Sequence, residues 1–294
     1  MLFHWVRIFR LICLYFALYF ENSTTQRAFA FMHNGNVVVL FIADINGKSG
    51  LAIASRFLPE LIKKYSPTIV IANGENAADG KGLTEKIAQS YFDLGINVIT
   101  GGNHTWDNPG IYEVWKKNLA ALRPANYPPQ NPGRGGMIYS CPSGLRIGII
   151  NLQGRTFMAT IDCPFQKADQ MIDDMRRETK VIFVDFHAEA TAEKMTMGWY
   201  LDGRVSAVVG THTHVQTADE RILPGGTAYI TDAGMTGPID SVIGMKTDVA
   251  IRRFVRQVPA RYVPAEGNER LCGVVVEIDP QTGKASRIDR LSIQ

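Results

Sequence analysis

The chain has 294 residues, 46% of them hydrophobic and 20% charged, an ordinary globular composition with ample apolar material for a core. A net charge of +3, scattered in short runs such as Lys63-Lys64, Arg176-Arg177 and Arg252-Arg253, is too small and too even to mark a nucleic-acid surface. Cys13, Cys141, Cys163 and Cys272 have no CxxC spacing, which argues against a zinc-finger frame and fits free thiols in a reducing compartment.

Residues 1–35 differ in character from the rest of the chain. Met1 to Phe20 is apolar and aromatic with Arg7 and Arg10 near its front, a polar run to Arg27 comes next, and Ala28-Phe29-Ala30 offers an A-x-A site. That is the outline of a secretory leader. The aromatics, the charges of Glu21 and Arg27, and Met32 just ahead of the first strand fit a non-native upstream start better. The expectation is therefore an N-terminal extension over 1–35 and a single domain over 36–294. The protein is then cytoplasmic, or exported or anchored if the leader is genuine. The apolar stretch is at the short end of a membrane span.

From Asn36 onward, apolar runs alternate with amphipathic stretches. Val37 to Ala43 reads as a buried strand, and Leu51 to Tyr65 as a helix with Ile53, Phe57, Leu61 and Ile62 on one face. Thr68 to Ala72 is a second strand. Thr84 opens a helix running through Leu94, with Gly95 as its stop. Asn97 to Thr100 is a third strand and Pro109 to Leu122 a helix. A proline- and glycine-rich connection covers 123–137. Further strands are expected at Leu145 to Leu152, Val181 to Asp185, Val205 to Gly210, Thr227 to Thr231 and Leu271 to Ile278, with a helix over 165–180. The order predicts a layered α/β domain.

Polar blocks sit just past five of these strands: Asp44, Glu75 with Asn76, Asn103 with His104, His187, and His212 with His214. In α/β sheets that edge is where ligands bind. Taken singly, each block has an ordinary reading as a cap, a solvated acid or a core histidine. Together, Asp44, Glu75, Asn76, Asn103, His187, His212 and His214 offer the carboxylate, amide and imidazole donors that divalent metals take, and seven donors suit two ions better than one. Glu75 could bridge the pair through its two oxygens. The i, i+2 spacing of His212 and His214 puts both rings on one face if the segment is extended. Two divalent ions carry four positive charges against three negative ones from Asp44, Glu75 and a bridging hydroxide, so the site attracts phosphate. His104, beside a proposed ligand, is placed to give a proton to a leaving oxygen. Lys81 reads as a solvated loop lysine, Arg155 and Phe157 have no settled role, and Asp232 to Gly237 reads as a turn without chemistry.

These blocks resemble the calcineurin-like metallophosphoesterase superfamily and, more closely, its YmdB-like family of bacterial 2′,3′-cyclic-nucleotide 2′-phosphodiesterases. The wider superfamily opens with Asp-x-His and bridges its metals with an aspartate; here Asn46 and Glu75 stand at those positions, as in the YmdB-like branch. The resemblance implies an α/β/β/α sandwich of two mixed sheets flanked by helices. It implies one metal on Asp44, Glu75, Asn76 and His214, a second on Glu75, Asn103, His187 and His212, and His104 as proton donor. The ions would be divalent or trivalent, iron ahead of manganese. The implied reaction opens 2′,3′-cyclic nucleotides to 3′-monophosphates by attack of a metal-bridging hydroxide. A homo-oligomer is implied, with no stable nucleic-acid partner and no membrane for the core. The alternatives are a phosphomonoesterase or nuclease on the same ions, or a nucleotide-binding regulatory module.

Overall fold

In the computed structural model, residues 35–294 apart from 118 are described, so the expectations for the leader and for Cys13 lie outside the described residues. Two six-stranded sheets form the centre. The first runs β10 (Gly237–Pro238), β11 (Glu269–Ile278), β1 (Val37–Ile42), β2 (Ile69–Asn73) and β3 (Val98–Thr100), with β12 (Ala285–Ile293) also paired to β11. The second runs β4 (Gly136–Ser140), β5 (Arg146–Gln153), β6 (Ile182–His187), β7 (Ala207–Thr211), β9 (Ala228–Ile230) and β8 (Arg221–Ile222). β1, β2 and β3 are parallel, as are β5, β6, β7 and β9, while β11 and β4 pair antiparallel to their neighbours.

Strand alternation explains the layers. In β1, Val37, Val39 and Phe41 face the second sheet and join Ile149, Phe183 and Val209, with the Phe41 and Phe183 rings 5.3 Å apart. Val38, Leu40 and Ile42 face outward onto Leu58 and Leu61 of α1 (Gly47–Tyr65) and the region of α2 (Glu85–Asp93). On the far side, Ile150, Leu152, Val184 and Phe186 pack on Ala168 and Ile172 of α4 (Pro164–Met175) and on Met197 and Leu201 of α5 (Thr191–Leu201). With both faces of each central strand covered, continuous apolar runs replace alternation in the sequence. Each such side chain contributes about 1.5–3 kcal/mol by leaving water. The α/β/β/α sandwich of two mixed sheets flanked by helices is the architecture expected.

Several elements differ from expectation. α1 begins at Gly47, because Gly50 N–H already reaches the carbonyl of Asn46 at 2.9 Å. The helix expected from Pro109 to Leu122 is only α3 (Ile111–Lys116); Ala121 and Leu122 are drawn instead into bridges with Ile99 and Arg134. β4, β8, β10, β12, α5 and α6 (Thr247–Arg256) are additions to the expected set. Residues 239–268, containing α6, rise from the β10–β11 ladder around a small core of their own, Met245, Val249 and Ala250 with Tyr262 and Val263 packed against it. Among the described residues Cys141, Cys163 and Cys272 are free thiols, and no helix is long and apolar enough to cross a membrane.

Candidate metal centre

The strand ends meet at one rim. Asn73 at the end of β2 donates to Asp185 of β6 at 3.1 Å, and Thr100 at the end of β3 donates to the same carboxylate at 2.5 Å, so the two sheets are bonded together beneath the site. Above this seam His187 is the last residue of β6 and His212 the first after β7. Asp44, Glu75 and Asn103 lie within three residues of the ends of β1, β2 and β3.

Proton positions follow from the bonding around His187. Its Nδ1 lies 2.9 Å from Thr211 Oγ1, whose own hydroxyl donates to Asp185 Oδ1 at 2.7 Å. The hydroxyl proton is thereby spent, so Nδ1 carries the ring N–H and Nε2 turns a lone pair inward. That Nε2 faces Asn103 Oδ1 at 2.9 Å, His212 Nδ1 at 3.1 Å and Glu75 Oε1 at 3.2 Å. His212 in turn points Nε2 outward to Glu189 Oε2 at 3.0 Å, which leaves its Nδ1 as the inward lone pair. Four electron-pair donors therefore converge on one point. Donors held about 2.0–2.2 Å from a common metal stand roughly 3 Å apart, as these do. Glu75, His187 and His212 thus form a group able to hold a metal ion. Gly102 is required beside it, because a Cβ there would collide with both Glu75 Oε2 and His187 Nε2.

A second set adjoins the first. Asn76 Nδ2 is 3.1 Å from Glu75 Oε1 and 3.1 Å from His214 Nε2, and that nitrogen is 4.0 Å from Asp44 Oδ2. His214 donates Nδ1–H to the carbonyl of Ile243 at 3.0 Å, leaving Nε2 as a lone pair. Asp44 Oδ2 accepts from His212 N–H at 3.0 Å, but the buried Oδ1 has no hydrogen-bond partner among the described residues. A buried carboxylate oxygen left unpaired costs free energy that a nearby cation would offset. For Asn76 to present oxygen rather than nitrogen here, its amide turns by half a rotation.

The YmdB-like protein family matches residues 40–291. The chain belongs to the YmdB-like family. It is 52% identical over 255 residues to the 2′,3′-cyclic-nucleotide 2′-phosphodiesterase of Bacillus subtilis, covering 87% of this chain and 96% of that protein. A crystal structure of a Thermus thermophilus hypothetical protein superposes with a TM-score of 0.82 at 37% identity, covering 87% of this chain and 98% of the other. A Mycoplasma pneumoniae structure described as a novel phosphatase gives the same TM-score, 0.82, at 35% identity, with coverage of 88% and 93%.

In this YmdB-like chain, electrostatics follows from burial and from the charges crowded together. Burial pushes the Asp44 carboxyl well above the usual carboxylate range. Burial acts the same way on Glu75, but the His187 charge and hydrogen bond outweigh it and hold the carboxyl low. Burial disfavours an imidazolium at His187; the Glu75 carboxylate more than offsets it and raises the ring to about 9. Without a cation the convergence point therefore attracts a proton. Burial and the neighbouring His187 depress His212 to about 3, so that ring stays neutral and available as a donor.

His104 sits at the edge of this cluster. Its backbone N–H donates to Glu75 Oε2 at 2.9 Å, and its side chain faces a cleft of about 600 Å³. Nδ1 lies 2.8 Å from Asp107 Oδ2, which leaves Nε2 free of the motif. Lys81 is not merely solvated: it lines the cleft and pairs with Asp107 at 3.3 Å. Arg253, Met245 and Tyr262 of the 239–268 segment close the opposite wall, with Tyr262 hydroxyl bonded to Asn46 Nδ2 at 3.3 Å. Arg155 and Phe157 are not among the cleft residues.

One local expectation needs correction. The His212-Thr213-His214 segment is not extended: His212 and His214 have φ of 102° and 66°, left-handed backbone that costs about 1–3 kcal/mol per residue. Asp232, read from sequence as part of a turn without chemistry, holds it there. Its Oδ2 accepts from Thr213 N–H at 3.1 Å and Thr213 Oγ1 at 2.8 Å, and is neutralised by buried Lys194 at 2.5 Å. Sequence reasoning also missed Thr211, Asp185 and Asp107 as supports. Asp185 was discoverable, since two residues before His187 in a strand it shares that histidine's face.

Proposed function

We propose that this chain is a metal-dependent phosphodiesterase that hydrolyses 2′,3′-cyclic nucleotides at the 2′-oxygen to leave 3′-monophosphates. The observation that carries the reading is the convergence of Asn103 Oδ1, Glu75 Oε1, His212 Nδ1 and His187 Nε2 at separations of 2.9–3.2 Å about the last of these. The 52% identity to the Bacillus subtilis phosphodiesterase supports the choice of substrate class. Glu75, Asn103, His187 and His212 would hold one ion, and Asp44, Glu75, Asn76 and His214 a second, with Glu75 shared. When bound, such ions neutralise phosphoryl charge and lower the pKa of water, and this mixed oxygen and nitrogen donor set suits iron or manganese.

The chain's own residues then divide the work. The 239–268 wall and the donor cluster enclose the cleft, narrowing the access of bulk water. A water gives one proton to solvent and its oxygen bonds to phosphorus as the bond from phosphorus to O2′ breaks. His104 Nε2 gives a proton to that departing oxygen and regains one from solvent afterwards. Asp107 holds the opposite ring nitrogen, fixing the donor's direction, while the His104 N–H bond to Glu75 keeps it beside the ions without joining them. Lys81 lies on the same side and favours an anionic substrate.

His104→Ala is expected to lower turnover by about 10²–10⁴-fold with metal content unchanged, read by kinetics and metal analysis together. Equal loss of metal would make His104 a ligand instead. A panel of 2′,3′-cyclic nucleotides, nucleoside monophosphates and oligonucleotides tests the substrate class. Release of 3′-monophosphate from the cyclic substrates is expected, and faster cleavage of monoesters or oligonucleotides would contradict it. Within this reading residues 36–294 form one catalytic domain, working in the cytoplasm as a homo-oligomer; light scattering on the purified chain checks the last point.

A further inference from the structure

A second cavity, of about 670 Å³, lies on the opposite side of His214 from the cleft and shares with it only the wall formed by His214 and Ile243. Two guanidinium groups, Arg270 and Arg290, line it, together with the polar groups of Gln216, Ser241 and Ser292; no carboxylate does. Arg290 is already paired, donating to Glu220 at 2.8 Å. Arg270 is different. It is half-buried on β11, its Nε is shielded from solvent without a partner, and its guanidinium makes no hydrogen bond or ion pair among the described residues. The nearby thiol cannot balance it, because burial pushes Cys272 up to about 11 and keeps it neutral. Asp240 turns away to Asn268 at 2.9 Å.

A half-buried cation without a counter-charge is unfavourable, and the simplest remedy is an anion from solution. The planar guanidinium fork matches phosphate oxygens two at a time. Met235, Pro238 and Ile239 add an apolar stretch to this otherwise polar lining, and the volume falls in the range of small-molecule sites. We infer that this cavity is a second ligand site, distinct from the metal centre, that takes a phosphate monoester: the phosphate on Arg270, the organic part against Met235 and Ile239. The ligand is of the same chemical class as the product of the proposed reaction, so that product is the natural probe. The site itself rests on the cavity and not on that reaction.

Equilibrium binding of 3′-AMP and of inorganic phosphate to the full chain, as isolated and after metal chelation, tests this without requiring turnover. A binding event that survives chelation is expected. Arg270→Gln should weaken it at least about tenfold, the loss of one charged hydrogen-bonded contact, while cyclic-nucleotide hydrolysis at low product stays within about twofold of the parent. Ser292→Glu, at the exposed mouth, should repel the anion similarly and avoids any folding penalty at Arg270. Disappearance of all phosphate binding on chelation would overturn the inference. So would chelation-resistant binding that neither variant alters, or a change of oligomeric mass in Arg270→Gln without any phosphate effect, which would make the cavity a seat for a second copy. Absence of cyclic-nucleotide hydrolysis with Arg270-dependent binding intact would refute the proposed reaction and leave this site standing.

Discussion

The two halves of the candidate metal centre are built differently. The Glu75, Asn103, His187 and His212 half rests on strand ends: His187 terminates β6, its Nδ1 is fixed by Thr211, and Thr211 is fixed by Asp185, itself bonded to the first sheet. Its donors already lie about His187 Nε2 at distances near 3 Å. The Asp44, Asn76 and His214 half has no member within a strand, with a carbonyl from the 239–268 segment behind the His214 ring and a 4.0 Å gap between His214 and Asp44, while left-handed backbone is common to His212 and His214. Sheet ends fix direction through many ladder bonds, whereas a turn needs a dedicated anchor. The first half is thus preorganised, whereas on the proposed reading the second would need to tighten to hold an ion.

Glu75→Gln tests both halves at once, since on the proposed reading one carboxylate serves both. It is expected to lower turnover by about 10³-fold or more, the scale of losing several kcal/mol of charge stabilisation, and to release metal, both measurable on the purified variant. Lys194→Met acts on the anchor of the turn, leaving Asp232 charged and buried. A loss of about 3–5 kcal/mol in denaturant unfolding is expected, with disorder at His212 and His214. Thr211→Val sharpens the contrast by loosening only the preorganised half. Metal affinity there should fall by about 10–100-fold while the other half keeps its ion, as titration with a spectroscopically visible metal would record.

The most graded effect, about tenfold for a single unit, is one of pH. Because Glu75 raises His187 to about 9, a proton competes with the cation for Nε2 at every pH below that value. Affinity at the preorganised half should fall by about tenfold per unit as pH drops below 9, and metal binding at pH 7 should release a proton to the buffer. His212, depressed to about 3, adds no such competition. A pH-independent affinity between 6 and 9 would contradict this assignment.

How much was legible in the sequence has the same physical origin. β1, β2, β5, β6 and β7 announce themselves as continuous apolar runs because both of their faces are covered. β12 did not, since its residues Ala285 to Ile293 carry several charges on an exposed face. α6 did not either, for a different reason: its apolar residues are segregated to one side, but it buries only Val249 and Ala250 and leaves Ile251, Phe254 and Val255 exposed, in a segment that stands apart from the apolar strand runs. α5 is apolar on more than one side, with Met195, Trp199 and Tyr200 outward, which blurs its period. The seven candidate donors could be picked out because each lies at or just beyond the end of a readable strand, and the structure brings Glu75, His187 and His212 together. Their supports were not. Thr211, Asp232, Lys194 and the Ile243 carbonyl are ordinary residue types whose partners lie far away in sequence, and only the folded chain shows what they hold.

The central claim is that two ions share Glu75 between a preorganised and a closing half. Metal content per chain, measured for the parent, Asn103→Ala and Asn76→Ala in parallel, tests it most directly. Two ions in the parent and one retained in each variant is the expected result, with the ion kept by Asn76→Ala bound more tightly than the ion kept by Asn103→Ala. A parent that binds a single ion, or variants that each keep both at full affinity, would contradict the account.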